Sequence, residues 1–298
     1  MKKLRIAIIG CKNMGRKHLS CLQEHFADRV KISGILNSTF TSTQIAAQEL
    51  GVRAFEGIQK INHKNTDAVI IATPMENHYE TAKILLNKGF PLLVEKPFAE
   101  TFEQCLELSK IAKDKKIPLL VGYTENYNPA VMVLKKQLNA PVKSIAAIRT
   151  SQNLGERKAH IISELMVHDL AIVQSLIKGD WVEARIDKQD KYEWNEHTVV
   201  EMKYDSGAIV KLEALRLPSA ELKRQMRIID VHNNIWTILF VERELRRNNE
   251  LLCAGGNSLK NELNCFLDML TNKTISQASI DDACNVVKLC NELESIKS

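Results

Sequence analysis

Short apolar runs alternate with helical patterns along the first part of the chain. The apolar runs are Arg5–Ile9, Lys31–Leu36, Asp67–Thr73 and Leu92–Glu95. The helical patterns between and after them are Met14–Phe26, Ser42–Leu50, Asn77–Lys88 and Thr101–Lys113. Strands that are apolar almost throughout are typical of a parallel sheet that is covered on both faces. The alternation therefore predicts a doubly wound α/β domain.

Local signals mark the ends of several of these helices. Gly51 and Gly89 each follow a helical pattern, where glycine readily takes the left-handed conformation that closes a helix. Thr101 and Gln104 have the spacing of a capping box, in which each side chain binds a backbone N–H of the first turn. These residues predict where the helices begin and end.

The pattern changes after Gly122. First come a helix at Pro129–Leu138, a strand at Ser144–Arg149 and a second helix at Ile161–Leu176. Two hairpins follow, Thr198–Tyr204 with Ala208–Leu215 and Arg227–Val231 with Ile235–Phe240, and then helices at Leu259–Leu270 and Ile280–Ile296. Consecutive strands joined by turns predict an α+β domain with a mostly antiparallel, open sheet. We therefore expect two domains, residues 1–121 and 122–298.

Composition and charge narrow the possible functions. The 298 residues fit two domains of about 150 residues each. No apolar run approaches the roughly 18–20 residues that cross a bilayer, and Ile6–Ile9 is too short for the core of a signal peptide. The net charge of +5 is dispersed and aromatic residues make up only 5%, which argues against a nucleic-acid partner. Seven scattered cysteines without a CxxC pair predict reduced thiols in a cytoplasmic protein.

The first turn has the composition of a dinucleotide-binding loop. Gly10-Cys-Lys-Asn-Met-Gly15 lies between a predicted strand and a predicted helix, so Lys12, Asn13 and Met14 would face the phosphates of NAD or NADP. Lys12 occupies the position where the motif usually has its middle glycine, and a purely structural turn stays an alternative. A P-loop is disfavoured because Arg16-Lys17 replaces its Lys-Ser/Thr pair.

Further polar residues follow the predicted parallel strands, at the sheet edge where ligands of open α/β folds collect. Asn37 stands where a carboxylate usually binds the adenosine ribose, which leaves the choice between NAD and NADP open. The other candidate cofactor residues are Thr73, Pro74, Asn77, His78, Glu95 and Lys96. A lysine at such an edge can orient a hydroxyl or move a proton.

In the second half, the predicted helix Ile161–Leu176 and the residue before it hold His160, Glu164 and His168, spaced four residues apart. Over two straight turns they would span about 12 Å, too far for one tetrahedral metal ion, so no metal site is expected. Glu164 and His168, one turn apart, suit an imidazole oriented by a carboxylate for acid–base chemistry. A structural histidine is the alternative.

Together these segments resemble the Gfo/Idh/MocA family of NAD(P)-dependent sugar oxidoreductases. The resemblance rests on Arg5–Gly10, Ala72–His78, Val94–Pro97, Val121–Pro129, Glu164–Asp169 and the closing segments Glu262–Phe266 and Ile280–Ala283. Glu95-Lys96-Pro97 combined with the later His168-Asp169 is its specific part. Within the family, the stretches Asn126–Pro129 and Glu164–Asp169 look most like the UDP-N-acetylglucosamine 3-dehydrogenase branch, whose members oxidise the sugar 3-hydroxyl.

The resemblance implies roles for individual residues. Lys96 would be the catalytic lysine and His168 the acid–base histidine, with Glu164 where the family usually has Asp. The implied substrate residues are Tyr123, Asn126, Tyr127, Asn128, His168 and Asp169, and Asn126 and Tyr123 depart from the Arg and His common in the branch. The resemblance also implies a small-molecule sugar or nucleotide-sugar substrate and a homo-oligomer. A non-catalytic sensor of a sugar or nucleotide, and a reductase of another small substrate, stay as alternatives.

Overall fold

The computed structural model describes residues 2–152, 160–192, 195–272 and 277–296. Backbone contacts divide the chain into two compact units. The first comprises residues 1–122 with 259–284, and the second comprises 123–258 with 285–298. The sequence pattern predicts one domain for all residues after 121, whereas residues 259–284 group with the first unit.

The first unit is built on a five-stranded sheet in the order β2-β1-β3-β4-β5. Every neighbouring pair in it is parallel. Its strands are β1 (Leu4–Ile9), β2 (Val30–Leu36), β3 (Ala68–Ile71), β4 (Leu92–Glu95) and β5 (Leu119–Gly122). The helices after the first four strands are α1 (Asn13–His25), α2 (Phe40–Leu50), α3 (His78–Asn87) and α4 (Phe102–Asp114). This is the predicted doubly wound fold.

The sheet of the first unit is buried as its composition requires. Every residue of β3, β4 and β5 is buried, as expected for strands of a parallel sheet whose faces are both covered. The capping box of Thr101 and Gln104 is present, and Gly51 ends α2 in the left-handed conformation. Both helix-end predictions are confirmed. The strand β5 (Leu119–Gly122) is not among the predicted strands.

The second unit contains an eight-stranded sheet in the order β13-β12-β11-β10-β6-β9-β8-β7. Its strands are β6 (Val142–Ser151), β7 (Trp181–Tyr192), β8 (Asn195–Tyr204), β9 (Ile209–Arg216), β10 (Arg224–Asp230), β11 (Ile235–Leu239), β12 (Glu244–Arg247) and β13 (Glu250–Cys253). All neighbours are antiparallel except β6 and β9, which run parallel. The expectation of a mostly antiparallel sheet is confirmed.

Four helices complete the described chain. They are α5 (Pro129–Gln137), α6 (Val167–Leu176), α7 (Ser258–Asn272) and α8 (Gln277–Ser295). One turn of π-helix, Ile162–Met166, precedes α6 where the sequence predicts a regular α-helix. The prediction of three residues in one stripe of a straight helix is therefore wrong, because the backbone is wound more widely around Glu164.

Two general expectations concern membranes and thiols. Within the described residues, every helix is too short or too polar to cross a membrane. All seven cysteines lie in the described ranges and are free thiols. Five of them are buried.

Candidate active site

The loop between β1 and α1 is built around two glycines that cannot be replaced without moving the backbone. Gly10 has φ +86°, and a Cβ there would lie 2.5 Å from the carbonyl carbon and oxygen of Ala72. A Cβ on Gly15 would lie 2.0 Å from the carbonyl oxygen of Gly10. The loop is therefore pressed against both the end of β3 and the first turn of α1.

The N-terminus of α1 suits a phosphate group. Lys12 is the N-cap residue, its side chain forms no capping hydrogen bond, and the first turn holds no acidic residue. Lys12 and Asn13 are exposed, and Met14 is half-buried. The amides of a first turn carry partial positive charge and bind anions. The absence of a side-chain cap and the close glycine packing fit the pyrophosphate of a dinucleotide.

Asn37 ties the glycine loop to the end of β2. Its Oδ1 accepts the N–H of Cys11 at 2.7 Å, and its Nδ2 donates to the carbonyl of Ser42 at 3.2 Å. Its own N–H donates to Thr43 Oγ1 at 2.9 Å. The neutral amide thus supports the loop without adding the negative charge that would repel a 2′-phosphate.

His78 connects the two segments that follow β3 and β4. Its Nδ1 lies 2.7 Å from the carbonyl oxygen of Pro97, and its Nε2 lies 2.8 Å from that of Thr73. Burial lowers the pKa of His78, more than the neighbouring carbonyls raise it. A neutral imidazole donates one hydrogen bond, so the ring donates to one of these carbonyls. We conclude that His78 is a structural link here, since its ring is only 1% exposed.

Of the other candidate residues after β3, two are exposed and one has a buried hydroxyl group. Pro74 and Asn77 are exposed. The Oγ1 of Thr73 is buried and has no hydrogen-bond partner among the described residues. An unsatisfied buried hydroxyl at the carboxyl end of a parallel strand is a group that a bound ligand can satisfy.

Glu95 and Lys96 lie at the end of β4. One oxygen of Glu95, Oε1, is 2.6 Å from Nε2 of His18, and the other, Oε2, accepts the N–H of Lys96 at 3.3 Å. The missing side chain of Gly122 leaves room for this carboxylate, since a Cβ there would lie 3.2 Å from it. Glu95 is 6% exposed, whereas Lys96 is partly exposed. Sequence reasoning missed His18, because no local pattern links it to Glu95.

In the second unit, Glu164 and His168 lie on consecutive turns. Glu164, in the π-helical turn, pairs with Arg216, whose Nη2 is 2.5 Å from Glu164 Oε2. Arg216 also donates to Glu196 Oε2 at 2.6 Å. His168 lies in the first turn of α6 and is partly exposed. Arg216 contacts Glu164 of the candidate pair but was not predicted from the sequence, since it lies 52 residues from Glu164.

The predicted substrate residues differ in what they contact. Tyr123 is buried and Tyr127 is partly exposed. Asn126 Oδ1 accepts from Lys135 Nζ at 2.9 Å. Asn128 is 1% exposed and caps α5 through the N–H of Ala130 at 3.1 Å. These hydrogen bonds within the protein explain why position 128 is an asparagine, without a ligand contact.

The carboxylate of Asp169 also binds within the protein. Both of its oxygens accept hydrogen bonds of 2.8 Å from Arg149, and the carboxylate is 2% exposed. Arg149 also donates to Glu125 at 3.2 Å. The adjacent residue, His168, is therefore attached to a helix turn that this ion pair holds in place.

Known proteins are similar to this chain in sequence and in fold. Residues 4–123 match the sequence model of the Gfo/Idh/MocA group, described as an oxidoreductase family with an NAD-binding Rossmann fold. UDP-N-acetylglucosamine 3-dehydrogenase from Acidithiobacillus ferrooxidans is 26% identical over 76% of this chain and 72% of its own length. An inositol 2-dehydrogenase from Saccharopolyspora erythraea is 28% identical over 61% of this chain and 56% of that protein.

Solved structures show the same fold over the whole chain. The Acidithiobacillus ferrooxidans enzyme superposes with a TM-score of 0.88, at 22% identity, over 98% of this chain and 97% of its own. GenD2 from gentamicin A biosynthesis, solved in complex with NAD, gives a TM-score of 0.84 at 17% identity over 99% and 94% of the two chains.

The parallel sheet, the two-glycine loop and the Glu-Lys pair after β4 together define a dinucleotide-dependent oxidoreductase. Within this class, residues 4–123 match the Gfo/Idh/MocA oxidoreductases, a family described as having an NAD-binding Rossmann fold. The resemblance stated from the motifs is confirmed.

Proposed function

We propose that this oxidoreductase transfers a hydride between a sugar hydroxyl and NAD or NADP. The substrate we favour is a nucleotide sugar such as UDP-N-acetylglucosamine, oxidised from the 3-hydroxyl to the 3-ketone. The observation that carries the proposal is Lys96, held at the carboxyl end of β4 by the buried carboxylate of Glu95. The curated relatives that oxidise a nucleotide sugar and inositol support a polyol substrate.

The proposal gives each catalytic residue one task. Lys96 binds the hydroxyl oxygen and stabilises the negative charge that develops there. His168 accepts the hydroxyl proton while the carbon-bound hydrogen leaves as hydride, and Glu164 orients the imidazole. When bound, the nicotinamide ring supplies the hydride acceptor. Arg216 holds Glu164 through the 2.5 Å ion pair and so limits the directions in which that carboxylate can point.

The dinucleotide would be held by the first unit. Gly10 and Gly15 bring the loop close to the pyrophosphate, and the uncapped turn at Lys12, Asn13 and Met14 supplies amides and one ammonium group. Asn37 would contact the ribose. Thr73, Pro74, Asn77 and His78 would border the site together with Glu95 and Lys96.

The substrate would be bound by the second unit. Tyr127 and Asn126 are partly exposed and could contact it directly. Tyr123, Asn128 and Asp169 are buried, so we assign them to shaping the site around His168. This division follows their exposure and not the family pattern, which treats the whole group as substrate residues.

We also propose that the protein acts as a cytoplasmic homo-oligomer that pairs through the eight-stranded sheet. Strand β9 alternates buried and outward residues, with Val210 and Leu212 buried and Ile209 and Lys211 exposed. Ile209 is 55% exposed and Val182, near the start of β7, is 63% exposed. Apolar side chains on an uncovered sheet face are typical of an interface.

A titration of the purified protein with NADH and NADPH tests the proposal, with nicotinamide fluorescence as the signal. We expect micromolar binding of at least one cofactor by wild type and by Lys96→Met, together with loss of turnover in that variant. Lys110→Met, an exposed lysine on α4, should keep both. A folded protein that binds neither cofactor would instead indicate a non-catalytic sensor, and unchanged turnover in Lys96→Met would refute the catalytic assignment.

A further inference from the structure

Three buried side chains from distant parts of the sequence meet behind Lys96. His18 is on α1, Glu95 ends β4 and Glu262 is on α7, and they are 0%, 6% and 0% exposed. Their imidazole nitrogens and carboxylate oxygens offer three atoms that all lie within 4.8 Å of one another. All three belong to the first unit. We call them the His18–Glu95–Glu262 cluster.

The cluster is held by a short hydrogen bond between His18 and Glu95. Nε2 of His18 is 2.6 Å from Oε1 of Glu95, which is a hydrogen-bond distance. Glu262 offers a carboxylate oxygen within 4.8 Å of the ligand atoms of His18 and Glu95. Two carboxylates this close repel each other, and a hydrogen bond donated to one of them reduces that repulsion. The imidazole of His18 supplies such a donor to Glu95.

A zinc ion bound by both His18 Nε2 and Glu95 Oε1 does not explain their separation. Zinc binds nitrogen and oxygen at about 2.0–2.2 Å with tetrahedral angles, which places two ligand atoms more than about 3 Å apart. The 2.6 Å separation of His18 Nε2 and Glu95 Oε1 is too short for both to bind one ion. It is the separation of a donor and an acceptor.

The second oxygen of Glu95 connects the His18–Glu95–Glu262 cluster to the backbone of Lys96. Oε2 accepts the backbone N–H of Lys96 at 3.3 Å, so the orientation of this carboxylate fixes the peptide from which the lysine side chain leaves the strand. Gly122 lies against the same carboxylate, with its virtual Cβ at 3.2 Å. The carboxylate is thus enclosed by His18, by β5 and by the backbone of Lys96.

We propose that His18 and Glu262 are positioning residues for the reaction at Lys96. His18, on the helix that follows the glycine loop, binds one oxygen of Glu95 and leaves the other to bind the Lys96 backbone. Glu262 borders the same carboxylate from α7, within 4.8 Å. This inference rests on the proposed function, because it assigns Lys96 to catalysis. It predicts that changes at His18 act on the chemical step and not on substrate or cofactor binding.

The first test is steady-state kinetics on the full-length protein with His18→Ala, His18→Gln and Glu262→Ala. A shift of about 1 Å at a reacting group lowers turnover by about 100-fold. We expect His18→Ala to lower kcat by about that factor with KM and the NADH affinity unchanged, and Glu262→Ala to lower it in the same direction. His18→Gln, whose amide can still donate to Glu95, should recover most of the loss.

Matched controls separate positioning from general destabilisation. His63→Ala removes an exposed imidazole from the same unit, and Asp268→Asn changes a carboxylate on the same helix as Glu262. Both should match wild type in kcat. A kcat of His18→Ala equal to that of His63→Ala would overturn the proposal, as would a loss that His18→Gln does not recover at all.

A second readout does not depend on turnover. Reductive methylation with ¹³C-formaldehyde labels the lysines, and Lys96→Arg identifies the resonance of Lys96. In wild type, His63→Ala and His18→Gln, the chemical shift of Lys96 should differ from the chemical shifts of exposed lysines. In His18→Ala it should coincide with them. If His18→Ala does not fold, Glu262→Ala should show this change instead.

The two readouts distinguish the two proposals. If wild type turns over no sugar but the Lys96 resonance responds as described, the proposed function fails and the positioning by His18 stands. If the resonance is identical in wild type, His18→Ala and Glu262→Ala, the positioning proposal is wrong even when turnover is found.

Discussion

Arg149 and Asp169 form a bidentate ion pair inside the second unit, with Nε to Oδ2 and Nη2 to Oδ1 distances of 2.8 Å. Both side chains are almost fully buried, at 1% and 2% exposure. The guanidinium also lies 4.9 Å from the centre of the Phe240 ring. Burial would lower the pKa of Arg149, but Asp169 and Glu125 raise it by more, so the guanidinium stays charged. It joins β6 to the first turn of α6, which carries His168.

Breaking this pair from one side should strongly destabilise the second unit. Arg149→Met leaves the carboxylate of Asp169 buried without its cation, and such a change typically costs about 3–5 kcal/mol. Urea denaturation should show this loss. Arg227→Met, an exposed arginine on β10, should change stability little.

The double variant Arg149→Met/Asp169→Leu tests the reason for that loss. With both charges replaced by apolar groups, no unpaired charge is buried, and the free energy of unfolding should recover part of what Arg149→Met loses. A single variant as stable as wild type would show that the pair is solvent-screened and that this account of α6 is wrong.

Gly15 should be essential for dinucleotide binding. A Cβ at this position would lie 2.0 Å from the carbonyl oxygen of Gly10, so Gly15→Ala must displace the loop that faces the pyrophosphate. We expect at least a roughly 10-fold loss of NADH affinity, which is about 1.4 kcal/mol. Gly51→Ala, where a Cβ meets nothing within 4 Å, is the control and should bind NADH normally. Equal affinity of the two variants would place the dinucleotide elsewhere.

Asn37 should set how well the protein tolerates the 2′-phosphate of NADP. Asn37→Asp keeps an oxygen that accepts the N–H of Cys11 but adds a negative charge at the ribose position. Fluorescence titration should show weaker NADPH binding with NADH binding kept. Asn62→Asp adds the same charge at an exposed site of the same unit and should change neither affinity. NADPH binding unaffected by Asn37→Asp would remove Asn37 from the ribose site.

Asp230 should make the stability of the second unit depend on acidic pH. Burial raises the pKa of Asp230, but hydrogen bonds from Asn234, Trp236 and the backbone outweigh it and hold the pKa below its usual value. The stabilisation is therefore present above the unfolded-state pKa of about 3.9 and is lost as pH falls through the lower folded-state value.

The comparison of wild type with Asp230→Asn measures this contribution. The difference in free energy of unfolding should be largest near neutral pH and should shrink below about pH 4. Asp28→Asn, at an exposed position, should show no such trend. A difference that is constant with pH would mean that shape and not charge makes Asp230 stabilising.

Local patterns predicted most of the fold and supplied the candidate site residues, which stay a prediction. The glycine loop, the capping box of Thr101 and the residues after each parallel strand are determined by short-range spacing. Strands β12 and β13 were not predicted because four-residue segments such as Glu244–Arg247 carry mostly charged residues and pair only through neighbours. The π-helical turn at Glu164 was also missed, since one extra residue per turn leaves no compositional signal.

The residues that support the site could not be read from local patterns. His18 lies 77 residues from Glu95, and Arg216 lies 52 from Glu164. Each of these pairs forms only when the sheets are assembled. Asp169 shows the converse, because a motif predicted a ligand-facing carboxylate and the fold commits both of its oxygens to Arg149.

The most direct test of the central claim is reduction of NAD or NADP by wild-type protein in the presence of UDP-N-acetylglucosamine. We expect growth of the reduced-nicotinamide absorbance and a nucleotide-sugar product lighter by two hydrogen atoms, with both absent in Lys96→Met. A folded protein that binds the cofactor but reduces it with neither this nucleotide sugar nor any free sugar or inositol would contradict the account.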